Sequence, residues 1–103
     1  SAPIATALEG AWNGTLDVGG KSMRIVITLA NHADGTSTGT AMNLDGGEVP
    51  IPISRIAQQG SEVTLEIKVV SGSYVGSLSA DGAELAGTWS EKSFSAPLKL
   101  RRR

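Results

Sequence analysis

The residues of this sequence that could carry out catalysis are few, and they lie mostly in turns. His32 is the only histidine and stands two positions before Asp34, so the two could form an acid–base pair or half of a metal site. One imidazole and one carboxylate are too few for a zinc site or a catalytic triad without partners from elsewhere in the chain. We therefore expect His32 to be a solvent-exposed loop residue.

Two glycine-containing segments come close to catalytic motifs without matching them. Gly14 is separated by five residues from the Gly-Lys-Ser run at residues 20–22. A phosphate-binding loop has four residues in that interval and is followed by a helix. Ser73, between Gly72 and Gly76, stands one position too early to be the nucleophile of a strand-to-helix elbow. Neither segment supports an enzymatic activity.

The carboxylates also have a structural explanation. Asp34, Asp45 and Asp81 each precede a glycine, a pairing typical of turns in which the carboxylate accepts bonds from the local backbone. General acid–base catalysis requires a titratable group in a partly dry pocket, and only Lys21, at a strand start, falls on an apolar face. We predict that the protein is not an enzyme, with no catalytic residue, no metal site and no cofactor.

Composition narrows the possible partners. The sequence has no cysteine, which excludes disulfides and thiolate chemistry. Nine basic residues against ten acidic ones leave no positive excess to attract nucleic acid. The longest apolar run is too short to span a bilayer as a helix. We expect a monomer or homodimer that binds no nucleic acid and has no membrane span.

Any site must be positioned by β-strands, because apolar residues recur at every second position and nowhere with a helical period. Eight strands are predicted, and the short loops between them produce an antiparallel meander. They comprise residues 11–18, 21–30, 36–44, 48–58, 61–70, 73–80, 83–90 and 94–101. Such a meander can pack as a sandwich or close into a barrel, and closure removes both sheet edges. We predict an all-β fold: an eight-stranded antiparallel up-and-down β-barrel.

Local features add detail to this barrel. Gly14, Gly76 and Gly87 fall on the inner face, where they permit sharp coiling of the strands. Pro50 and Pro52 cannot donate ladder hydrogen bonds, so the fourth strand is expected at an edge or at a bulge. Residues 1–8 are predicted to be an N-terminal arm, a leader strand or a loose segment, and residues 9–103 a single barrel domain.

The predicted interior is apolar, with Thr38 and Thr40 as its polar members on the third strand. Eight-stranded barrels can be filled by side chains or can hold one small ligand. A filled core is the more economical interpretation, and any ligand should be small and apolar. If a cavity exists, its predicted ligand-binding residues are Leu16, Ile25, Ile27, Met42, Ile67 and Trp89.

Two Gly-x-Trp motifs, Gly10-Ala11-Trp12 and Gly87-Thr88-Trp89, occur on the first strand and near the end of the chain. A Gly-x-Trp on the first strand with a basic residue on the last resembles the calycin signature of lipocalins, fatty-acid-binding proteins and avidins. The resemblance implies a lipocalin- or avidin-like meander. It also implies a structural plug in which Trp12 packs beneath Lys99 or Arg101, through burial and cation–π attraction.

A second resemblance covers residues 8–102. Residues 8–16, 72–78, 81–82, 85–89 and 97–100 are similar to the small β-domain that precedes α/β-hydrolase or serine-hydrolase domains in exported bacterial proteins. That domain has no catalytic residues to carry over, and no hydrolase domain follows here. A chain that starts at Ser1 without an initiator Met fits either a removed signal peptide or a trimmed expression tag. With the resemblance added, we expect an exported protein, periplasmic or secreted.

These observations predict a non-catalytic β-barrel accessory or binding module. It would act through a partner protein, such as a hydrolase-type domain, or through a small apolar ligand. The alternative is a lipocalin-like carrier with an internal apolar cavity.

Overall fold

Alternation of apolar and polar residues produces nine β-strands in the computed structural model, which describes residues 1–103. In chain order they are β1 (Gly10–Val18), β2 (Lys21–Asn31), β3 (Ser37–Asn43), β4 (Ile51–Pro52), β5 (Arg55–Gln59), β6 (Glu62–Ile67), β7 (Gly72–Leu78), β8 (Glu84–Ser90) and β9 (Ser95–Arg102). The helical segments are two 3-10 turns, Thr6–Leu8 and Lys68–Val70, and neither has the length or apolar character needed to cross a membrane.

All nine strands belong to one antiparallel sheet, in the order β4-β3-β2-β1-β9-β8-β7-β6-β5. Neighbours in the sheet are also neighbours in the chain except β1 and β9, which join the two halves of the meander. The sheet curls into a half-barrel around a core cluster of 19 buried residues. The predicted all-β up-and-down meander is confirmed, with nine strands instead of eight.

The additional strand arises because the predicted fourth strand divides at Ile53 and Ser54. The Ile53 N–H donates to the Gly39 carbonyl oxygen at 2.9 Å, whereas the Ser54 N–H donates to the Glu66 carbonyl oxygen at 2.7 Å. The chain thus passes from the β3 side of the opening in the half-barrel to the β6 side. Pro52 lies in the short edge strand β4. An edge strand tolerates proline, which has no N–H to donate, because one of its sides has no neighbouring strand.

Most strands follow the predicted phase. In β6, Val63, Leu65 and Ile67 are fully buried, while Glu62 lies on the opposite, solvent-facing side. The core also encloses Tyr74, whose hydroxyl donates to the Leu98 carbonyl oxygen at 2.8 Å across the interior. Burial raises the pKa of the Tyr74 phenol well above its ordinary value.

The phase predicted for β3 is wrong. Ser37 and Ala41 are buried and Thr38 is exposed, so Thr38, Thr40 and Met42 occupy outer-face positions. The reason is that small residues are needed on the inner side, where other parts of the chain lie close. A Cβ added at Gly39, also on that side, would come within 3.0 Å of the Ile53 side chain.

The N-terminal arm is packed onto the half-barrel and closes one of its ends. Ile4 and Leu8 are buried in the core cluster. The Ile4 N–H donates to the Asn31 side-chain oxygen at 2.9 Å, and the Asn31 amide donates back to the Ile4 carbonyl oxygen at 2.8 Å. The Ser37 hydroxyl donates to the Ala2 carbonyl oxygen at 2.6 Å. These contacts fix the arm between the end of β2 and the start of β3.

The turn aspartates accept hydrogen bonds as their Asp-Gly pairing predicts. Bonds from the Thr36 hydroxyl and N–H lower the pKa of Asp34. Bonds from the Ser79 hydroxyl and the Ala83 N–H lower the pKa of Asp81. These two carboxylates therefore hold their loops more strongly when they are ionised.

Asp45 differs because its main partner, Arg24, lies on strand β2 and not in the same turn. The Arg24 guanidinium donates to its carboxylate at 2.8 Å, and the Arg24 N–H donates at 2.8 Å as well. These bonds, the side-chain ones foremost, lower the pKa of Asp45. The pair ties the loop after β3 to the start of β2.

We expect acid to destabilise the protein through these carboxylates. A folded-state pKa below the unfolded value means that the stabilisation is complete above the ordinary pKa and is lost as pH falls through the lowered folded value. The melting temperature should therefore stay level from pH 7 to about 5 and fall below about pH 4. Asp45→Asn should lower it at pH 7 and flatten the acid decline. Glu62→Gln, on the solvent face of β6, is the control, and a decline equally steep in both variants would contradict this account.

Candidate functional site

One end of the half-barrel contains an apolar cavity of about 220 Å³, here called the cup. It lies where β1 ends and β2 begins, opposite the end that the arm closes. Nine of its twelve lining residues are apolar. The lining consists of Leu16, Met23, Ile25, Ala41, Met42, Asn43, Gly46, Ile51, Ile67, Val70, Trp89 and Glu91.

The cup has a buried floor and a half-exposed mouth. Leu16 and Ile67 are almost completely buried, whereas Met23, Ile51 and Val70 are half-buried. The mouth is thus formed by the start of β2, by β4 and by the 3-10 turn after β6. The accessible apolar surface of the cup belongs mainly to these mouth residues, with the buried floor beneath them.

The structure places five of the six residues predicted to bind a ligand along the cup: Leu16, Ile25, Met42, Ile67 and Trp89. Met42 lines the cup although it lies on the outer face of β3, and its neighbour Ala41 lies on the inner face. Ile27 is fully buried beside Trp12 and does not line the cup. Ile27 is the next inner-face residue of β2 after Ile25, and it lies in the packed part of the core.

Sequence reasoning missed the residues at the mouth. Met23 and Ile51 are in phase with predicted strands, so alternation offered a signal for them. Asn43 and Glu91 lie at strand ends, and Val70 lies in a 3-10 turn, where alternation stops. Nothing in the local pattern shows that these segments meet.

Two polar side chains border the mouth. The Asn43 amide donates to the Met23 sulfur at 3.2 Å, and its oxygen accepts the Asp45 N–H at 2.9 Å. The Glu91 carboxylate accepts the Trp89 indole N–H at 2.9 Å. Glu91 is the one ionisable residue in the lining.

The opposite end is plugged around Trp12. Its side chain is fully buried, and its indole N–H donates to the Leu8 carbonyl oxygen at 3.0 Å. The Arg102 guanidinium lies 4.9 Å from the centre of the ring and donates to the Ala7 carbonyl oxygen. Burial, a hydrogen bond and a cation–π contact therefore act together on one residue.

The basic partner of the plug differs from the prediction. Lys99 and Arg101 have side chains 74% and 78% exposed, and each lies 3.9 Å from the Glu84 carboxylate. Strand alternation explains why Arg102 is the basic partner of Trp12, because Leu100 is buried and Arg102 is the next residue on the same face of β9. Arg101 belongs to the solvent face.

The remaining chemical candidates are not brought together. The His32 imidazole is exposed and lies 2.6 Å from the Thr38 hydroxyl, while Asp34 bonds to Thr36. No three His, Asp or Glu side chains lie close enough to hold a metal ion.

In comparisons with known proteins, no family model matches the chain and no curated protein matches it in sequence. The fold and the site alone define the class, an all-β half-barrel with one plugged end and one cupped end.

Proposed function

We propose that this protein is a non-catalytic binding module that takes a small apolar ligand into the cup. The observation that carries the proposal is the unfilled apolar cavity at one end of an otherwise packed core. Ligand pockets are typically concave and lined mainly by apolar side chains. The cup, an open pocket of about 220 Å³ with nine apolar residues among its twelve, has that character, which supports binding of a small apolar ligand.

The size of the cup limits the ligand. An apolar cavity of about 150 Å³ accepts benzene, whereas pockets for drug-sized molecules measure about 300–1,000 Å³. The cup, at about 220 Å³, lies between them and suits a single ring or a short branched chain. The alternative of a lipocalin-like carrier that encloses a larger ligand is less well supported by this volume.

The absence of catalysis is part of the proposal. Glu91 is the one titratable group that lines the cup, and its carboxylate is bonded to Trp89. The lining contains no serine, cysteine, lysine or histidine that could act with Glu91 in acid–base or nucleophilic catalysis. The lining offers Asn43 as its other polar side chain, and both ends of that amide are already engaged.

A second candidate function is docking of a partner protein on the same end. Val49 and Val69 are 62% and 69% exposed. In sequence they lie next to the segments that form the mouth of the cup, which contain Ile51 and Val70. Exposed apolar residues around a cavity favour a protein contact. A hydrolase-type domain is the partner that the second resemblance suggests.

The calycin resemblance and an exported location complete the proposal. The contact between Trp12 and Arg102 supports a calycin-like plug. A chain without cysteine has no thiol that an oxidising compartment could oxidise, which is compatible with a periplasmic or secreted protein. Fractionation of the source cells tests the location.

Binding of toluene tests the main proposal. Saturable binding should shift the indole N–H resonance of Trp89, in the cup, and leave that of Trp12 unchanged. Ala41→Leu places a larger side chain in the cup and should weaken binding at least about tenfold, since the ligand and the new side chain compete for one space. The matched control is Ala86→Leu on the solvent face of β8, which should bind normally.

Equal binding by both variants, or shifts at Trp12 alone, would contradict a ligand site in the cup. Val70→Phe, at the mouth, repeats the test if Ala41→Leu fails to fold. If toluene does not bind, and Val49→Asp or Val69→Asp abolishes a complex seen by native mass spectrometry, the partner function takes first place.

A further inference from the structure

We propose that the ligand of the cup is a small ammonium compound, with an aryl or alkyl body in the apolar lining and its charged nitrogen on the Glu91 carboxylate. This inference rests on the proposed function and adds the chemical class of the ligand. It starts from a contrast in the lining: nine residues are apolar, and a single one carries a charge.

The Glu91 side chain is held in place at the mouth. Its Oε2 atom accepts the Trp89 indole N–H at 2.9 Å, and its backbone N–H donates to the Phe94 carbonyl oxygen at 2.8 Å in the tight turn between β8 and β9. A Cβ at Gly72 would lie 3.5 Å from the Glu91 side chain and 3.4 Å from the Trp89 ring, so the backbone of β7 packs against both. The carboxylate is therefore positioned before any ligand arrives.

This carboxylate also lacks a cationic partner. The four ion pairs of the structure join Arg24 to Asp45, Arg55 to Glu66, and both Lys99 and Arg101 to Glu84. The Oε1 atom of Glu91 accepts no hydrogen bond from the chain, while both ends of the Asn43 amide are engaged. Glu91 Oε1 is thus a free anionic acceptor at the mouth, and it is the one charged hydrogen-bonding group that the lining side chains offer.

The charge decides which ligand fits. A neutral apolar ligand that covers the mouth would strip water from an unpaired carboxylate, and an anionic ligand would be repelled by it. An ammonium group supplies both the opposite charge and the missing donors.

Three probes of similar size separate charge from hydrophobicity: 2-phenylethylamine as the cation, 2-phenylethanol as the neutral compound and phenylacetate as the anion. Affinities are read at neutral pH from the indole N–H resonance of Trp89. The amine should bind about tenfold more tightly than the alcohol, the size of a charge-assisted hydrogen bond that is partly exposed. Phenylacetate should bind most weakly.

Glu91→Gln removes the charge and keeps an acceptor for Trp89, so it should abolish the preference for the amine over the alcohol. Glu62→Gln, the same change on the solvent face of β6, should keep the full order of affinities. In the unmodified protein, 0.5 M salt should weaken binding of the amine but not of the alcohol, because screening acts on the charge.

The outcomes distinguish the two proposals. Equal affinities for amine and alcohol, or a preference for the amine that survives Glu91→Gln, would overturn the ammonium assignment and leave the proposed function standing. Failure of all three probes to bind would overturn the ammonium assignment, and failure of toluene to bind as well would overturn the proposed function.

Discussion

Trp12→Ala is expected to lower the free energy of unfolding by about 3–5 kcal/mol, the range for removing a large buried aromatic side chain. The indole is fully buried, and its N–H holds the Leu8 carbonyl group of the arm. Truncation leaves a void in the core and frees the arm at the same time. Urea denaturation followed by circular dichroism measures the loss.

Milder variants divide this loss into its parts. Trp12→Phe keeps a ring and removes the hydrogen bond, so it should cost less than the alanine variant. Arg102→Ala removes the cation–π contact and should cost about 0.5–1 kcal/mol. Arg101→Ala, on the solvent face, should stay within about 0.5 kcal/mol of the unmodified protein. A loss below about 1 kcal/mol for Trp12→Ala would refute the plug.

Gly87→Ala should be nearly as damaging, at about 3 kcal/mol, the upper end of the range for overpacked cores. A Cβ there would lie 2.1 Å from the Val75 carbonyl oxygen and 2.5 Å from the Gly76 Cα. Both atoms belong to the backbone of β7, so the clash cannot be relieved by a rotamer change and the two strands must separate. The φ angle of Gly87 is not positive, so the effect is steric alone.

Gly46→Ala is the matched control for this experiment. Its Cβ would approach only the Asn43 side chain, at 2.9 Å, and that flexible amide can move aside. We expect a change below about 1 kcal/mol in thermal or urea unfolding. Similar losses for the two variants would mean that the close approach of β7 and β8 does not limit stability.

Alternation was a sufficient guide wherever one face of a strand meets the core and the other meets water. It placed Leu65 inside and Glu66 outside, and it placed Leu16 and Ile67 where they line the cup. The same rule identifies Arg102 as the partner of Trp12, because Arg102 continues the face of Leu100. It excludes Lys99 and Arg101, which lie on the opposite face of β9.

Alternation failed where a third segment covers the strand. Ser37 is buried because the arm lies against it, and Gly39 faces inward because Ile53 crosses above it. Both positions are small or polar, so their local pattern predicts the opposite face. Such contacts link residues far apart in the chain, and a single sequence contains no local sign of them.

The cup illustrates the same limit. Its floor could be predicted from in-phase apolar residues, but whether that space is filled depends on how far the strands diverge at the open end. Glu91 could not be predicted as part of the site, since it lies in a turn and only the fold brings it beside Trp89 and Gly72.

The pairing of β1 with β9 has a consequence for folding kinetics. Trp12 and Arg102, partners in this seam, are 90 positions apart in the chain. Contacts between distant residues require closure of a large loop before they contribute stability, and they slow folding. We expect the hairpins to form first and the seam last, with refolding slower than in helical proteins of this length. Until the seam forms, β9 has a free edge, and the arginines at 101–103 oppose its pairing with another unfolded chain.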